Sequence, residues 1–311
     1  MVSRREQLLE MVVEQFILQK RPVPSLDLAN PLGVSSATIR NELAALEEMG
    51  LLRQPHTSAG RVPTREGWRM YANKFIPPKP LPDASLEHLE MAIGSVVGEQ
   101  RFKMAMMLAS SLSGYAAVMT LAPKEARIET ISLSTLEGGR VLAVLLLQGG
   151  MARELVLDAG FRPERDVLER LENALREPPL ETHEIPAKLH RLEQQASPAV
   201  ASLAKSLRER WGEIATTSVS YSSGATPVLT EPESNDVVFL RGVLDLLERP
   251  NSPANLSPGL VLSVDDPDGI SSITVAFKSN LGRASVSILG PTRMRYPKAI
   301  SVAQAVANAL G

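Results

Sequence analysis

Residues 34–71 constrain the fold more than any other part of the chain, because they predict a helix, a hairpin and the start of a further helix in close succession. Between Ser36 and Met49, apolar residues recur at offsets of four, seven and ten, which places them on one side of an α-helix. These residues are Ile39, Leu43, Leu46 and Met49. Either Ser35 or Ser36 can cap the first turn, and Gly50 stands where a helix end commonly needs a left-handed residue.

The side of this helix opposite the apolar stripe is small and polar. At about 100° per residue it carries Ala37, Asn41, Ala44 and Glu48, flanked by Thr38 and Arg40. Small residues let a helix sit deep in the major groove, and a recognition helix touches base edges with its N-terminal end. Arg40 can bridge guanine O6 and N7, and Asn41 can bridge adenine N6 and N7. The pattern therefore favours a helix that reads DNA.

The flanking residues complete a helix-turn-helix followed by a hairpin. Residues 25–30 predict a supporting helix, and residues 4–20 show the apolar spacing of an amphipathic helix. Residues 51–54 and 61–63 are strand candidates joined by a turn-rich loop, and Thr64 is placed to cap the next helix. The hairpin offers phosphate-contacting groups on a flexible tip, namely His56, Thr57, Ser58 and Arg61.

Pattern and charge alone leave a second interpretation open. A helix with an apolar stripe followed by a hairpin occurs in many small domains, and Arg40 and Asn41 can equally form a solvated face. Residues 1–75 hold 10 Lys and Arg against 8 Asp and Glu, a net charge of +2, whereas the other residues hold 23 against 27, a net charge of −4. This asymmetry favours nucleic acid at the N-terminus, and a dimer would double the weak positive patch.

Composition restricts the remaining function classes. The 311 residues include no cysteine, which excludes disulfides, thiolate catalysis and cysteine-ligated metal and suits a cytoplasmic protein. We expect no membrane span and no secretory signal, because the sequence has no run of about eighteen apolar residues and no charged-then-apolar leader. The four histidines lack metal-ligand spacing, and no nucleophile or phosphate-loop motif is present. We therefore expect no enzyme activity, no cofactor and no metal site.

Two charged clusters can be read as ligand sites but are interpreted as turns. Residues 265–269 bring three aspartates close together, yet they lack the alternate spacing and the later glutamate of a calcium loop, and Pro267 favours a plain turn. Arg293 and Arg295 lie near a turn and can bind an anion. A structural turn that seats the last helix is the favoured interpretation of these two arginines.

A proline-rich spacer separates the N-terminal region from the rest of the chain. Residues 76–82, IPPKPLP, hold four prolines in seven residues and cannot continue a helix. Residues 85–112 then show the pattern of one long helix, and residues 116–158 contain four β-rich runs. One of these runs, VLAVLLL (141–147), is apolar at every position, which predicts a central strand covered on both faces.

Beyond these strands the pattern becomes helical and then returns to strands. Residues 163–219 have helical spacing, a further helix is predicted over 236–248, strands resume between residues 259 and 289, and a final helix is predicted over 298–310. A sheet that is interrupted by helices and then resumes indicates one α+β domain with a helical insertion. The predicted fold class is thus α+β multidomain, with a winged helix-turn-helix at the N-terminus.

Several strings of this sequence are specific enough to indicate a family. Near the N-terminus they are SSATIRN (35–41), PHTSAGRVPT (55–64) and the run Gly67, Trp68, Arg69. Towards the C-terminus they are YSSGATPVLTEPESNDVVFLRGVLDLLE (221–248) and LGRASVSILGPTRMRYPKAI (281–300). In these residues, and in their order and spacing, the chain resembles the HrcA family of heat-inducible transcription repressors.

The resemblance implies a GAF-like α+β domain interrupted by an inserted dimerising domain. The expected division is a winged helix over 1–76, a proline-rich linker over 77–84, a GAF-like domain over 85–160 and 220–311, and the insertion over 161–219. The residues expected at DNA are Ser35, Ser36, Thr38, Arg40, Asn41, His56, Thr57, Ser58 and Arg61. The resemblance also implies a homodimer on double-stranded DNA, at the inverted-repeat CIRCE operator of chaperone genes, kept active by the GroEL/GroES chaperonin until heat stress.

An alternative function is a winged-helix regulator controlled by a small effector in the GAF-like domain. Such control needs a roomy pocket lined with a few polar groups. Aromatic residues make up 4% of the chain, which disfavours a stacking pocket for a flat ligand. The repressor controlled by its own folding is therefore the first hypothesis, and the effector-controlled regulator is the second.

Overall fold

Local sequence signals determine most of the helices and strands in the computed structural model. The structure describes residues 4–56, 59–122, 127–148, 151–176, 180–215, 218–250, 256–264, 269–279 and 281–311. The helices are α1 (Arg4–Gln19), α2 (Ser25–Leu32), α3 (Ser36–Glu48), α4 (Arg65–Asn73), α5 (Asp83–Gly94), α6 (Glu99–Ser113), α7 (Arg165–Arg176), α8 (Ile185–Gln195), α9 (Pro198–Ala215), α10 (Ala225–Thr230), α11 (Val237–Glu248) and α12 (Tyr296–Leu310). The strands are β1 (Leu52–Arg53), β2 (Val62–Pro63), β3 (Ala116–Ala122), β4 (Ile128–Thr135), β5 (Arg140–Leu147), β6 (Met151–Asp158), β7 (Val219–Ser223), β8 (Gly259–Ser263), β9 (Ile270–Ser279) and β10 (Gly282–Pro291). Short 3₁₀ turns cover Glu137–Gly139 and Pro232–Asn235.

The N-terminal unit, α1 to α4 with the β1–β2 hairpin, forms where the sequence predicts it. The apolar stripe of α3 is buried against α1 and α2, with the exception of Met49, which caps the helix and is 55% exposed. Ser35 is the N-cap, and its side chain accepts a hydrogen bond from the backbone N–H of Thr38 at 3.1 Å. Gly50 follows the helix at φ 72°, in the left-handed region that favours glycine. Thr64 caps α4 through the N–H of Gly67.

Two glycines let the backbone segments of this unit approach closely. A Cβ atom at Gly60 would lie 2.3 Å from the carbonyl carbon and oxygen of Val23, which pairs with Arg61 in an isolated β-bridge. A Cβ atom at Gly67 would lie 2.1 Å from the carbonyl oxygen of Leu51. The hairpin is therefore enclosed between α4 on one side and the segment before α2 on the other.

A five-stranded antiparallel sheet, in the order β7-β3-β10-β9-β8, forms the centre of the C-terminal body. Strand β3 is buried along its whole length. Ala117, Met119 and Leu121 belong to the same core as α6 and α12, whereas Ala116 and Val118 pack with residues of α11. Helices thus cover both faces of this sheet, because its central strands are apolar on both sides.

Strands β4, β5 and β6 form a separate three-stranded antiparallel sheet. The expectation that they share one sheet with the C-terminal strands is wrong: the chain leaves the five-stranded sheet after β3 and re-enters it at β7, which pairs directly with β3. Helices α7 and α9 pack on one face of the smaller sheet. The excursion between β3 and β7 therefore contains strands as well as helices.

Strand β5 is central in the smaller sheet, as its sequence predicts, but it is not covered on both faces. Val141, Ala143, Leu145 and Leu147 are buried, whereas the alternate side chains are only half-buried. These alternate side chains are Leu142, Val144 and Leu146. Successive side chains point to opposite faces of a strand, so β5 presents an apolar row on the outer face of the sheet, flanked by the exposed Ser132 and Ser134 of β4 and Glu154 of β6.

The two sheets meet near the start of α6. Tyr221 of β7 packs against Phe102 of α6, with ring centroids 5.3 Å apart. Burial raises the pKa of Tyr221 to about 12, and burial lowers the pKa of the neighbouring Arg153 on β6. A neutral phenol and a largely desolvated guanidinium therefore line the contact between the sheets.

The single helix expected over residues 85–112 is two helices, α5 and α6, because the chain turns between them. Gly98, at the start of α6, has φ 61°, a conformation that β-branched and other L residues avoid. The preceding Val96 and Val97 have low helix propensity. Apolar spacing continues across this turn, so periodicity alone does not reveal it.

Helix α4 connects the N-terminal unit to the C-terminal body through aromatic side chains. Trp68 and Tyr71 lie 6.2 Å and 6.3 Å from Tyr296 of α12, measured between ring centroids. Phe16 of α1 packs edge-on against Trp68 at 5.9 Å. Arg65 donates from Nε to the backbone oxygen of Val264 at 3.2 Å. The orientation of the N-terminal unit is therefore fixed by buried rings and one hydrogen bond to the body.

The turn that contains Arg293 and Arg295 seats α12, in agreement with the favoured interpretation. The guanidinium of Arg293 donates to Glu233 at 2.6 Å and to Glu231 at 2.5 Å, and these carboxylates raise its pKa. The backbone N–H of Arg295 donates to the hydroxyl of Tyr115 at 2.9 Å. The guanidinium of Arg293 thus already binds two carboxylates, which disfavours a role in binding a further anion. The other expected turn, at residues 265–268, lies outside the described residues.

We expect Gly67→Ala to lower the free energy of unfolding by about 1–3 kcal/mol, because the new methyl group would overlap the Leu51 carbonyl and separate α4 from the hairpin. Gly94→Ala is the matched control, since a Cβ atom at this helical glycine meets no atom within 4 Å. Urea titration followed by circular dichroism measures both variants. Equal stability of the two variants would contradict the close packing described for Gly67.

Candidate nucleic-acid interface

Helix α3 presents a continuous exposed face beside its buried stripe. Arg40 and Asn41 are exposed in its second turn, and the small residues Ala37 and Ala44 are exposed on the same side. Glu48 closes this face at the C-terminal end of the helix. The structure therefore brings the expected base-reading residues together on one solvent-facing surface, with small side chains between them.

The N-terminal end of α3 is organised by hydroxyl groups. The Oγ of Ser35 lies 2.9 Å from the Oγ1 of Thr38, in addition to its capping bond with the Thr38 N–H. Ser36 receives a long hydrogen bond of 3.5 Å from a guanidinium nitrogen of Arg40. The Thr38 hydroxyl is thus part of the helix cap, while Arg40 leans towards the N-terminal end of the helix.

Glu47 ties the hairpin to the recognition helix. Its carboxylate accepts from the backbone N–H of Gln54 at 3.1 Å and from a guanidinium nitrogen of Arg61 at 3.0 Å. The Gln54 side chain in turn donates to the backbone oxygen of Ala59 at 2.8 Å. Arg61 also exchanges two backbone hydrogen bonds of 2.9 Å with Val23. We call Glu47, Gln54 and Arg61 the hairpin tie.

The hairpin tie corrects the expectation that Arg61 lies on a flexible tip. Only 18% of its side chain is exposed, and its charge is compensated by Glu47. The sequence could not indicate this pair, since Glu47 and Arg61 are distant along the chain and meet only when the hairpin folds back on α3. His56 is exposed on the loop, as expected, whereas Thr57 and Ser58 lie outside the described residues.

Ion pairs engage part of the positive charge of the N-terminal unit. In its described residues, Arg5 pairs with Glu42 at 2.8 Å and Arg69 pairs with Glu66 at 3.7 Å; Lys74 pairs with Glu10, and Arg61 with Glu47. Arg40 on α3 is exposed and has no ion pair in this part of the chain, and the same holds for Arg53 on β1. The sequence pattern does not single out Arg53, because this residue lies on the strand rather than in the loop.

The described residues contain no cluster of three or more His, Asp or Glu side chains arranged to hold a metal ion. Among the described helices, none combines the length and hydropathy that crossing a membrane requires. The features that the geometry brings together are thus an exposed helix face, a hairpin tied to it and two uncompensated arginines. Exposed cations and polar side chains on one helix and an adjacent hairpin suit a phosphate-lined groove.

Comparison with known proteins identifies both halves of the chain. Residues 99–300 match the family model HrcA protein C terminal domain, and residues 4–64 match a DeoR-like helix-turn-helix domain. The heat-inducible transcription repressor HrcA of Brevibacillus brevis is 30% identical over 99% of this chain and 96% of its own length. The repressor of the same name from Nitratidesulfovibrio vulgaris is 32% identical over 99% of this chain and 94% of its own.

A solved structure supports the fold. The crystal structure of a hypothetical protein at 2.2 Å resolution has a TM-score of 0.64 and 20% identity, and the match covers 100% of this chain and 97% of that one. At this identity the likeness concerns the fold alone. From the family matches and the full-length relatives, the chain belongs to the HrcA family of heat-inducible transcription repressors, carries a helix-turn-helix DNA-binding domain at its N-terminus, and is not an enzyme.

Proposed function

We propose that this repressor binds the inverted-repeat CIRCE operator of chaperone operons as a homodimer. The observation that carries the proposal is the exposed face of α3, with Arg40 and Asn41 side by side beyond a capped N-terminus. A two-fold dimer presents two such helices related by symmetry, so its DNA half-sites have to be inverted. Its action on chromosomal DNA places the protein in the cytoplasm.

In this proposal α3 enters the major groove and the β1–β2 hairpin acts as the wing. The residues at base edges are Thr38, Arg40 and Asn41, and Ser35 and Ser36 lie where the helix start meets the backbone. We expect His56, Thr57 and Ser58 to contact phosphates. Arg40 is the residue best suited to guanine, because a guanidinium offers two parallel donors to O6 and N7.

We assign the domains with one change from the expected limits. Residues 1–76 form the winged helix and 77–84 the linker, and the five-stranded sheet with its helices is the GAF-like domain. The inserted domain begins after β3 and ends before β7, so it includes the three-stranded sheet. The support for this wider insertion is that β4, β5 and β6 pair with one another and not with the larger sheet.

The outer face of the three-stranded sheet is the surface that we assign to dimerisation. Leu142, Val144 and Leu146 of β5 lie side by side on it, and Val156 of the neighbouring β6 is 37% exposed. Packing this face against its own copy would remove these side chains from water, and apolar burial contributes about 25 cal/mol per Å². A self-complementary face generates a closed two-fold dimer.

We infer control by the GroEL/GroES chaperonin, and the marginal stability of protein domains supports this inference. Domains are stable by only about 5–15 kcal/mol, so a loss of one or two kcal/mol on heating changes the active fraction several-fold. A chaperonin that refolds the repressor links operator occupancy to the load of unfolded protein. An effector site in the GAF-like domain is less well supported: the described residues beside β9 and β10 line a cavity of about 140 Å³, smaller than the usual ligand site of about 300–1,000 Å³. Cavities of about 620 and 630 Å³ lie against the three-stranded sheet instead.

Sequence-specific binding is tested by titrating the purified protein with an inverted-repeat duplex and with a scrambled duplex over a salt series. We expect tighter binding to the inverted repeat. Arg40→Ala should reduce the discrimination by about 1–3 kcal/mol, because it removes a bidentate base contact. Arg170→Ala, an exposed arginine of α7, is the control. Equal affinity of the wild-type protein for both duplexes would exclude the proposed function.

The dimer surface is tested with Val144→Asp, which would place a charge in the proposed interface. We expect the dimer dissociation constant to rise at least about tenfold, equivalent to about 1.4 kcal/mol. Val261→Asp is the matched control, because Val261 is 48% exposed on β8, at the edge of the other sheet. Sedimentation equilibrium measures both variants, and the same dissociation constant in both would refute this surface.

Chaperonin control is tested on repressor that has been mildly heated. Stoichiometric titration of this repressor with operator DNA gives the fraction that can still bind DNA. We expect GroEL with GroES and ATP to raise this fraction several-fold, since refolding returns protein to the DNA-competent state. An equal mass of an unrelated protein is the control. An active fraction that the chaperonin leaves unchanged would remove this part of the proposal.

A further inference from the structure

The β1–β2 hairpin carries two arginines in contrasting environments. Arg61 is largely buried and paired with Glu47 at 3.0 Å. Arg53 is exposed, and the described part of the chain offers its side chain neither an ion pair nor a hydrogen bond. An arginine that already has a carboxylate partner gains little from a phosphate, because the existing pair must first be broken and the carboxylate would be left facing the DNA.

The direction of the Arg53 side chain follows from its strand. Successive side chains of a strand point to opposite faces, and the preceding Leu52 is 1% exposed within the core of the N-terminal unit. Arg53 therefore points away from the core and into solvent. It lies opposite Val62 of β2 in the hairpin register, so the two side chains share one face of the hairpin, on which Val62 is buried and Arg53 is exposed.

The position of Arg53 relative to the recognition helix is also fixed. The next residue, Gln54, is held by Glu47 of α3 through its backbone N–H and by Ala59 through its side chain. On the other side, Leu51 accepts a hydrogen bond from the Thr64 N–H at 3.0 Å and lies against Gly67 of α4. The backbone at Arg53 thus keeps a constant offset from α3, so the region that its side chain can reach is set before DNA binds.

We propose that Arg53 is the phosphate-contacting cation of the hairpin, and that the Glu47–Arg61 pair is a strut that positions it. The proposal rests on the proposed function, since it requires that α3 enters the DNA groove. The guanidinium of Arg53 donates to a backbone phosphate, which is a sequence-independent contact. Arg61 acts on DNA binding only through the geometry of the hairpin.

The test compares Arg53→Gln with Arg61→Gln in the full-length protein, since both variants change the net charge equally. Fluorescence anisotropy measures the affinity for the inverted-repeat duplex and for a scrambled duplex at salt concentrations from about 50 to about 200 mM. Over this range the number of phosphate contacts has a large effect on affinity. We expect Arg53→Gln to weaken binding to both duplexes alike. Its salt slope should fall by about 0.9 per subunit, or about 1.8 for a dimer.

Arg61→Gln is expected to lower the salt slope by less than Arg53→Gln, because it acts on the phosphate contact only through the hairpin geometry, and to lower the thermal unfolding midpoint, whereas Arg53→Gln should leave that midpoint unchanged. If Arg61→Gln does not fold, Arg69→Gln replaces it, because Arg69 is an exposed arginine paired with Glu66. A slope unchanged by Arg53→Gln, or lowered equally by all these variants, overturns the assignment. A wild-type protein without preference for the inverted repeat overturns the proposed function instead.

Discussion

The burial of Trp68 between Phe16 and Tyr296 is the contact on which the arrangement of this molecule depends. It places one face of α4 against the first helix and the other against the last, so that the two ends of the chain share a core. The same helix meets the hairpin through Gly67, where a single methyl group would not fit. Aromatic rings give this contact a large buried area and a specific geometry. The nine-residue helix α4 consequently orients the recognition helix α3, the hairpin and the C-terminal body relative to one another.

Ion pairs across the fold decide which cations of the described DNA-binding unit remain uncompensated. Glu47 and Glu42 on α3 each hold an arginine from another element, which makes the recognition helix a structural anchor as well as a reading surface. The small net charge of this unit therefore describes its DNA-binding surface poorly. What matters for phosphate binding is which arginines lack a carboxylate, and pairing across the fold decides that.

The sequence predicts most local features, because they depend on neighbours within a few residues. The cap at Ser35, the stripe of α3, the left-handed Gly50 and the cap at Thr64 belong to this class, as does the hairpin. The errors concern contacts between distant segments. The sequence predicts Arg61 on the loop tip, because nothing in its neighbourhood indicates that Glu47 of α3 pairs with it. It predicts β4 to β6 in the larger sheet, because apolar periodicity indicates a strand but not the strand beside it. In the described part of the chain, no element covers the outer face of β5. The apolar sequence of β5 does not reveal this.

The pairing of Leu121 on β3 with Val219 on β7 makes the intervening segment, in topological terms, the loop of a β-hairpin. Its two ends leave the larger sheet beside each other, so the chain between them can change in length and content while the sheet keeps its strand order. The entropic cost of closing such a loop grows only with the logarithm of its length. A lineage could therefore acquire, exchange or lose the whole excursion without rebuilding the body that carries it, and the surface that we propose for dimerisation could evolve separately from the reading of DNA.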